Sequence, residues 1–212
     1  MITNLRIGLI IAALLAVTLV LLPFQLLGLG LDLKMRRYIP RYWHRAACWL
    51  LGIRIHVHGR PETRRPLMLA SNHVSWKDIM VLGAVADVVF IAKAEVADWP
   101  IFGLLAKLQK SVFIVREDRR GTGKQVNEIA ARMTAGEIVV LFPEGTTSDG
   151  NRLMEVKSSL FGAAAAAAPE TPEGVVHVRQ RARRARPRRR RWRRWWARRR
   201  GAGRRTSARP WW

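Results

Sequence analysis

DVVFIAKAEVADWPIFGLLAKLQKSVFIVRE, residues 87–117, decides the fold class. It opens and closes on short, β-rich apolar runs, VVFIA and VFIV, bounded by charged or turn residues. Such runs read as strands buried on both faces. Between them AEVADWPIFGLLAKLQK (94–110) is long enough for a helix to carry the chain back across a sheet. The pattern repeats outward. IRIHVHG (53–59), PLMLAS (66–71), EIVVLF (137–142) and VVHV (175–178) read as further strands. DIMVLGAV, GKQVNEIAARM and LMEVKSSLFGAAAAAA read as helices, the last stopped by Pro169. The expected fold is α/β: a mostly parallel sheet with crossover helices, preceded by an N-terminal membrane helix.

That helix is drawn from Ile7–Leu31, 25 residues without a charge. Helical, it measures roughly 37 Å, enough to cross a hydrocarbon core of about 30 Å. A cleaved signal peptide has a shorter apolar region ending in a small-residue cleavage site, so an uncleaved anchor is preferred. Pro23, Gly28 and Gly30 weaken its second half and keep a kinked or re-entrant segment open as an alternative. Arg6 stands alone before the segment, whereas Lys34, Arg36, Arg37, Arg41 and Arg45 follow it. The positive-inside rule then places everything after residue 34 in the cytoplasm. RYWHRAACWLL (41–51) is expected as a short helix. Its aromatics, with Tyr38, either sit at a headgroup boundary or pack on the core.

Net charge is +23 over 212 residues, which at first sight points to nucleic acid or a polybasic membrane protein. The charge is unevenly held. Residues 1–178 carry 21 basic and 15 acidic side chains, and residues 179–212 carry 17 Arg and no acid. The fold itself is therefore only mildly basic. The single cysteine, Cys48, excludes an internal disulfide and a cysteine-cluster metal site.

Three polar clusters follow strands, where α/β folds gather their sites. SNHVSWKD supplies Asn72, His73 and, five residues on, Asp78. A histidine held by a carboxylate is a general base, since the anion fixes the tautomer and stabilises the imidazolium. Five residues rotate a regular helix by roughly 140°, so the pair meets only if His73 lies in the turn before the helix and Asp78 in its first turns. SVFIVRED brings Arg116, with a guanidinium fork suited to phosphate, to a strand end. LFPEGTTSDGNR runs a strand into Glu144, Gly145 and Thr146, with Gly145 permitting a tight turn of exposed N–H groups. Each has a bland counterpart: a surface histidine, a solvated strand end, an ordinary loop. His56 and His58 share a strand face without a third ligand and read as a solvated face.

Together NHVSWKD, VFIVRED and LFPEGTTS resemble, in order and spacing, the N-H-x4-D, arginine and F-P-E-G-T blocks of the glycerolipid acyltransferases, typified by 1-acylglycerol-3-phosphate acyltransferase. The likeness covers roughly residues 53–178. FPEGTTSDGNRLMEVKSSLFGAA looks like the bacterial branch that includes the lyso-ornithine-lipid acyltransferases. The resemblance implies that His73, oriented by Asp78, deprotonates the hydroxyl of a lysolipid, lysophosphatidic acid or lyso-ornithine lipid, which attacks the thioester of acyl-CoA or acyl-carrier protein. It implies that Arg116, Glu144, Gly145 and Thr146, with Asn72 beside the base, bind the acceptor. Lys93 in AKAEV matches a family lysine associated with the oxyanion. No metal and no cofactor are implied. The partners implied are the lysolipid, the acyl donor and the bilayer, and nucleic acid is disfavoured. The location implied is the bacterial inner membrane, with the domain on its cytoplasmic side.

Domain organisation follows: 1–52 anchor and interfacial helix, 53–178 acyltransferase domain, 179–212 a disordered Arg/Trp-rich tail. Family members continue past VVHV with a further strand, whereas residues 179–212 hold no aliphatic side chain larger than Ala. That composition points first to a reading-frame shift, because out-of-frame GC-rich codons yield Arg, Ala, Gly, Pro and Trp. The domain is then expected to be C-terminally incomplete. A lipid-binding polybasic tail, at about 1 kcal/mol per Arg, and a nucleic-acid-binding arm are the competing readings. The rival to an enzyme is an impaired relic acting only as a cationic membrane-binding protein.

Overall fold

A computed structural model of the chain describes residues 2–59, 62, 64–115, 121–150, 154–155, 160–167 and 175–178. Arg116, most of the segment 151–159 and the Arg/Trp-rich segment 179–212 lie outside the described residues.

Alternation along the strands sets the layers. Five strands, β1 Leu67–Ser71, β2 Val88–Lys93, β3 Val112–Ile114, β4 Ile138–Leu141 and β5 Val175–Val178, form one sheet in the order β3-β2-β4-β1-β5. Every pairing is parallel, with Leu67 opposite Ile138 and Val88 also opposite Ile138. The pleat sends Met68, Val89, Ile91, Val139 and Leu141 to one face, against Ile129, Ala130 and Met133 of α5 (Thr122–Thr134) and Ala163 and Ala164 of α6 (Gly162–Ala167). It sends Leu67, Val88, Phe90, Ile138 and Val140 to the other, against Ile79 and Leu82 of α3 (Lys77–Val85). All four residues of β4 are buried, as a central parallel strand requires. Each large apolar side chain so buried contributes roughly 1.5–3 kcal/mol. Because all strands run one way, the segments that follow β1, β2 and β4 emerge at one edge.

Three local readings change. IRIHVHG forms no strand: residues 53–58 take no regular secondary structure and pair with no strand among the described residues. The helix expected over 94–110 is broken into a 3₁₀ turn, Ala94–Asp98, and α4, Phe102–Leu108. Pro100 is the cause, since it holds Trp99 extended (φ −70°, ψ 130°) and has no N–H to give a continuing helix. Ile101 then takes a left-handed φ of 63°, and a Cβ at Gly103 would lie 2.4 Å from the Ala97 carbonyl oxygen. The turn leaves Trp99, Ile101, Phe102 and Leu104 exposed. Of the long helix expected over 153–168, the described part is α6 alone, and Met154 and Glu155 are not helical.

The N-terminal helix α1, Ile2–Gly30, runs unbroken through Pro23 and is long and apolar enough to cross a membrane. Antiparallel to it packs α2, Met35–Leu50. Trp43 Nε1–H donates to Thr18 Oγ1 (2.8 Å), and Gln25 Nε2 donates to the carbonyls of Arg36 (3.2 Å) and Leu108 (2.7 Å). The aromatics of α2 divide. Trp43 turns inward, whereas Tyr38, Tyr42 and Trp49 share an outer face, Trp49 being 80% exposed. They do not pack on the core.

On its inner face α2 buries His44 against α3 so closely that a Cβ at Gly83 would lie 2.3 Å from His44 Cδ2. Gln109 donates to the Val88 carbonyl (3.0 Å), so its Oε1 accepts from His44 Nε2–H (3.1 Å). Burial lowers the His44 pKa more than this hydrogen bond raises it, and the ring stays neutral. Burial likewise pushes the Cys48 thiol up, so Cys48 serves as a small apolar side chain.

Candidate active site

Asp78 is the second residue of α3, and His73 lies in the turn that joins β1 to it. The condition set by their spacing is met: His73 Nδ1 and Asp78 Oδ2 are 2.9 Å apart. The same carboxylate oxygen accepts from the N–H groups of Val74 (2.6 Å) and Ser75 (2.8 Å). Asp78 therefore folds the turn around itself from the helix N-terminus, where the peptide dipoles also favour an anion. With Asp78 as acceptor-only partner, Nδ1 carries the proton and Nε2 keeps its lone pair. Asp78 is 6% exposed and His73 17%, so the pair is shielded with one ring edge accessible. Phe142 stacks on the imidazole at 4.2 Å between centroids, which fixes its plane.

The backbone of His73 is held as firmly as its ring. Its N–H donates to Glu144 Oε2 (3.3 Å). Its carbonyl accepts from both Ser148 N–H (2.7 Å) and Ser148 Oγ–H (3.2 Å). Glu144 and Ser148 belong to the turn after β4, closed by Gly145 N–H donating to the Phe142 carbonyl (3.1 Å) and by a left-handed φ of 69° at Gly145. The carboxylate of Glu144 is buried, and its Oε1 has no hydrogen-bond partner among the described residues.

The structure thus joins Asn72, His73, Asp78 and Glu144. Asn72 is buried at the end of β1, where its carbonyl accepts from Ser71 Oγ–H (3.0 Å). Thr146 follows Gly145 at the exposed lip of the turn. Lys93 ends β2 at the same edge of the sheet and pairs with Glu95 at 2.7 Å. Arg116 is outside the described residues. Phe142 and Ser148 were missed from sequence. Both lie inside LFPEGTTS, where an aromatic reads as strand and a serine as loop, so position in that block was the only signal.

Ser148→Ala keeps the backbone bond to His73 and loses the hydroxyl bond, a net 0.5–1.5 kcal/mol in order of magnitude. The expected result is a fall of about two- to tenfold in kcat with KM little changed, read by steady-state kinetics.

A family model described as Acyltransferase matches residues 54–178. The chain is 64% identical over 179 residues to the "Lyso-ornithine lipid O-acyltransferase" of Rhizobium meliloti (strain 1021), covering 84% of this chain and 61% of that protein. It is 51% identical over 178 residues to the protein of the same name from Brucella abortus (strain 2308), covering 84% and 66%. Among solved structures, the 1-acyl-sn-glycerophosphate (LPA) acyltransferase PlsC of Thermotoga maritima superposes with a TM-score of 0.58 at 26% identity, covering 78% of this chain and 71% of that one. The chain spans less than two thirds of the length of these two curated relatives. With the family model matched over more than half its length, the chain belongs to the acyltransferase family.

Proposed function

We propose that the protein transfers a fatty acyl group from acyl-CoA or acyl-carrier protein to the hydroxyl of a lysolipid. The observation that carries this reading is the His73–Asp78 pair, with Nε2 left as the acceptor of a proton. His73 Nε2 takes the hydroxyl proton as the oxygen attacks the thioester carbonyl. Asp78 stabilises the imidazolium so formed. The tetrahedral intermediate collapses, the C–S bond breaks, and the thiolate leaves with the proton returned by His73. Lys93 supplies positive charge toward the oxyanion. Arg116, Gly145 and Thr146 hold the head group, and Glu144 adds a buried carboxylate oxygen that can accept a hydrogen bond from it. No metal or cofactor is assigned a part.

Lyso-ornithine lipid is the preferred acceptor and lysophosphatidic acid the second, an order supported by the names of the relatives at 64% and 51% identity. The reaction is placed at the cytoplasmic face of a bacterial inner membrane. Supporting this are α1, the outward aromatics of α2, and the exposed Trp99, Ile101, Phe102 and Leu104 near the strand ends that lead to the site. The test uses membranes containing the full chain, labelled acyl-CoA or acyl-carrier protein, and each lysolipid in turn. Labelled diacyl product above membranes lacking the chain is expected, larger with lyso-ornithine lipid. No product with either acceptor and either donor overturns the proposal.

A further inference from the structure

A cavity of about 280 Å³ opens at the edge of the sheet opposite His73. Its lining includes Val88 and Ile138, the first residues of β2 and β4, so it lies roughly 16 Å, the length of β2, from the edge where Lys93 stands. Arg36, Arg37, Arg65 and Lys110 line it, against the two acids Asp87 and Glu137. Both acids are already matched. Glu137 pairs with Arg36 (3.3 Å) and Arg132 (3.2 Å), and Asp87 with Arg41 (3.4 Å). Asp32, just outside the cavity, pairs with Arg36 at 2.8 Å and lies 3.9 Å from Lys110 Nζ, beyond hydrogen-bond reach. Arg37 gives one N–H each to the carbonyls of Ala135 (3.1 Å) and Gly136 (3.4 Å). Three of its five N–H donors have no partner among the described residues. The Arg37 guanidinium therefore faces the cavity with no acid paired to it among the described residues, beside Lys110, whose ion pair is with Asp32, itself 75% exposed and shared with Arg36.

We infer that this cavity binds a phosphate group, and that the phosphate is carried by the head group of an anionic phospholipid. The remaining donors of Arg37 and the Lys110 ammonium in one concavity suit the spread charge and several acceptor oxygens of phosphate. The lipid source follows from position. The first turn of α2 forms part of the cavity wall, and α1, the apolar helix, ends at Gly30 only a short turn earlier. A basic site this close to the end of a membrane helix meets the anionic surface of the leaflet. The inference is independent of the acyl-transfer reading, since the cavity and the His73 turn occupy opposite edges.

The test is photolabelling of the full chain in phosphatidylcholine vesicles doped with phosphatidylglycerol bearing a diazirine in its head group, with labelled peptides mapped by mass spectrometry. Label is expected in the peptides covering 35–41 and 107–111. Lys110→Glu is expected to cut it about tenfold or more, with Lys110→Arg retaining it. A thermal melt checks that each variant is folded, and Lys110→Gln replaces Lys110→Glu should that chain fail to fold. Label found only in α1 or beyond residue 178, or unchanged in Lys110→Glu, overturns the site. Competition by inorganic phosphate separates the sources. Suppression assigns the cavity to free phosphate and overturns the lipid source, whereas persistence supports the head group.

Discussion

His73→Ala is expected to lower kcat for the proposed acyl transfer by about 10²- to 10⁴-fold, the contribution of a general base. The geometry gives the reason: Nε2 is the ring nitrogen left without a proton once Nδ1–H is committed to Asp78 at 2.9 Å. Asp78→Asn retains the shape but removes the charge that stabilises the imidazolium, and a fall of about 10²- to 10³-fold is expected. Because the two side chains act as one unit, Asp78→Asn added to His73→Ala should cost little more than His73→Ala alone. Single-turnover measurements on the four proteins check this, with circular dichroism showing that each is folded. Undiminished turnover in His73→Ala removes His73 from the chemistry. Additive losses in the double variant remove the coupling between the pair.

Gly83→Val is expected to lower the thermal midpoint by about 2–12 °C. Even a Cβ there would lie 2.3 Å from His44 Cδ2, well inside contact distance. The ring has nowhere to go. Gln109 holds Nε2 at 3.1 Å, and Trp43 and Phe90 flank it edge-on at 5.3 and 6.4 Å. Overpacking of a tight core costs about 1–3 kcal/mol, and each kcal/mol moves the midpoint of a chain this size by roughly 2–4 °C. His44→Ala on the Gly83→Val background should restore part of the loss, giving a coupling energy opposite in sign to the single effects. A melt of the detergent-solubilised chain that shows no change in Gly83→Val contradicts the seating of α2 on α3.

Legibility in the sequence followed the range of the physics. VVFIAK and EIVVLF announce buried parallel strands because burial on both faces is written into each run, and both are strands. IRIHVHG alternates as well as a strand can, yet a strand exists only where a neighbour pairs with it, and none does among the described residues. Pro100 is a local signal for the break before α4, set among apolar residues whose spacing on either side suits a helix. At the site, the His73–Asp78 contact was legible as a condition on where α3 begins, and Lys77 meets that condition. Ser148 was not legible, because its part is played toward a carbonyl 75 residues earlier. Gly83 and His44 were hidden for the same reason: their fit is a property of two helices meeting.

The grip of the β4 turn on His73 also imposes an order in time. The hydrogen bonds that join His73 with Glu144 and with Ser148 close loops of 71 and 75 residues. Contacts so distant along the chain form late, after local helices and neighbouring strands have gathered. The proposed base is therefore assembled only when β4 has docked beside β1, and a nascent chain that has not yet emerged beyond Ser148 carries the histidine without the means to hold it. In refolding, turnover should return with sheet closure and lag behind helix content, so catalysis itself becomes a clock for the last step of assembly.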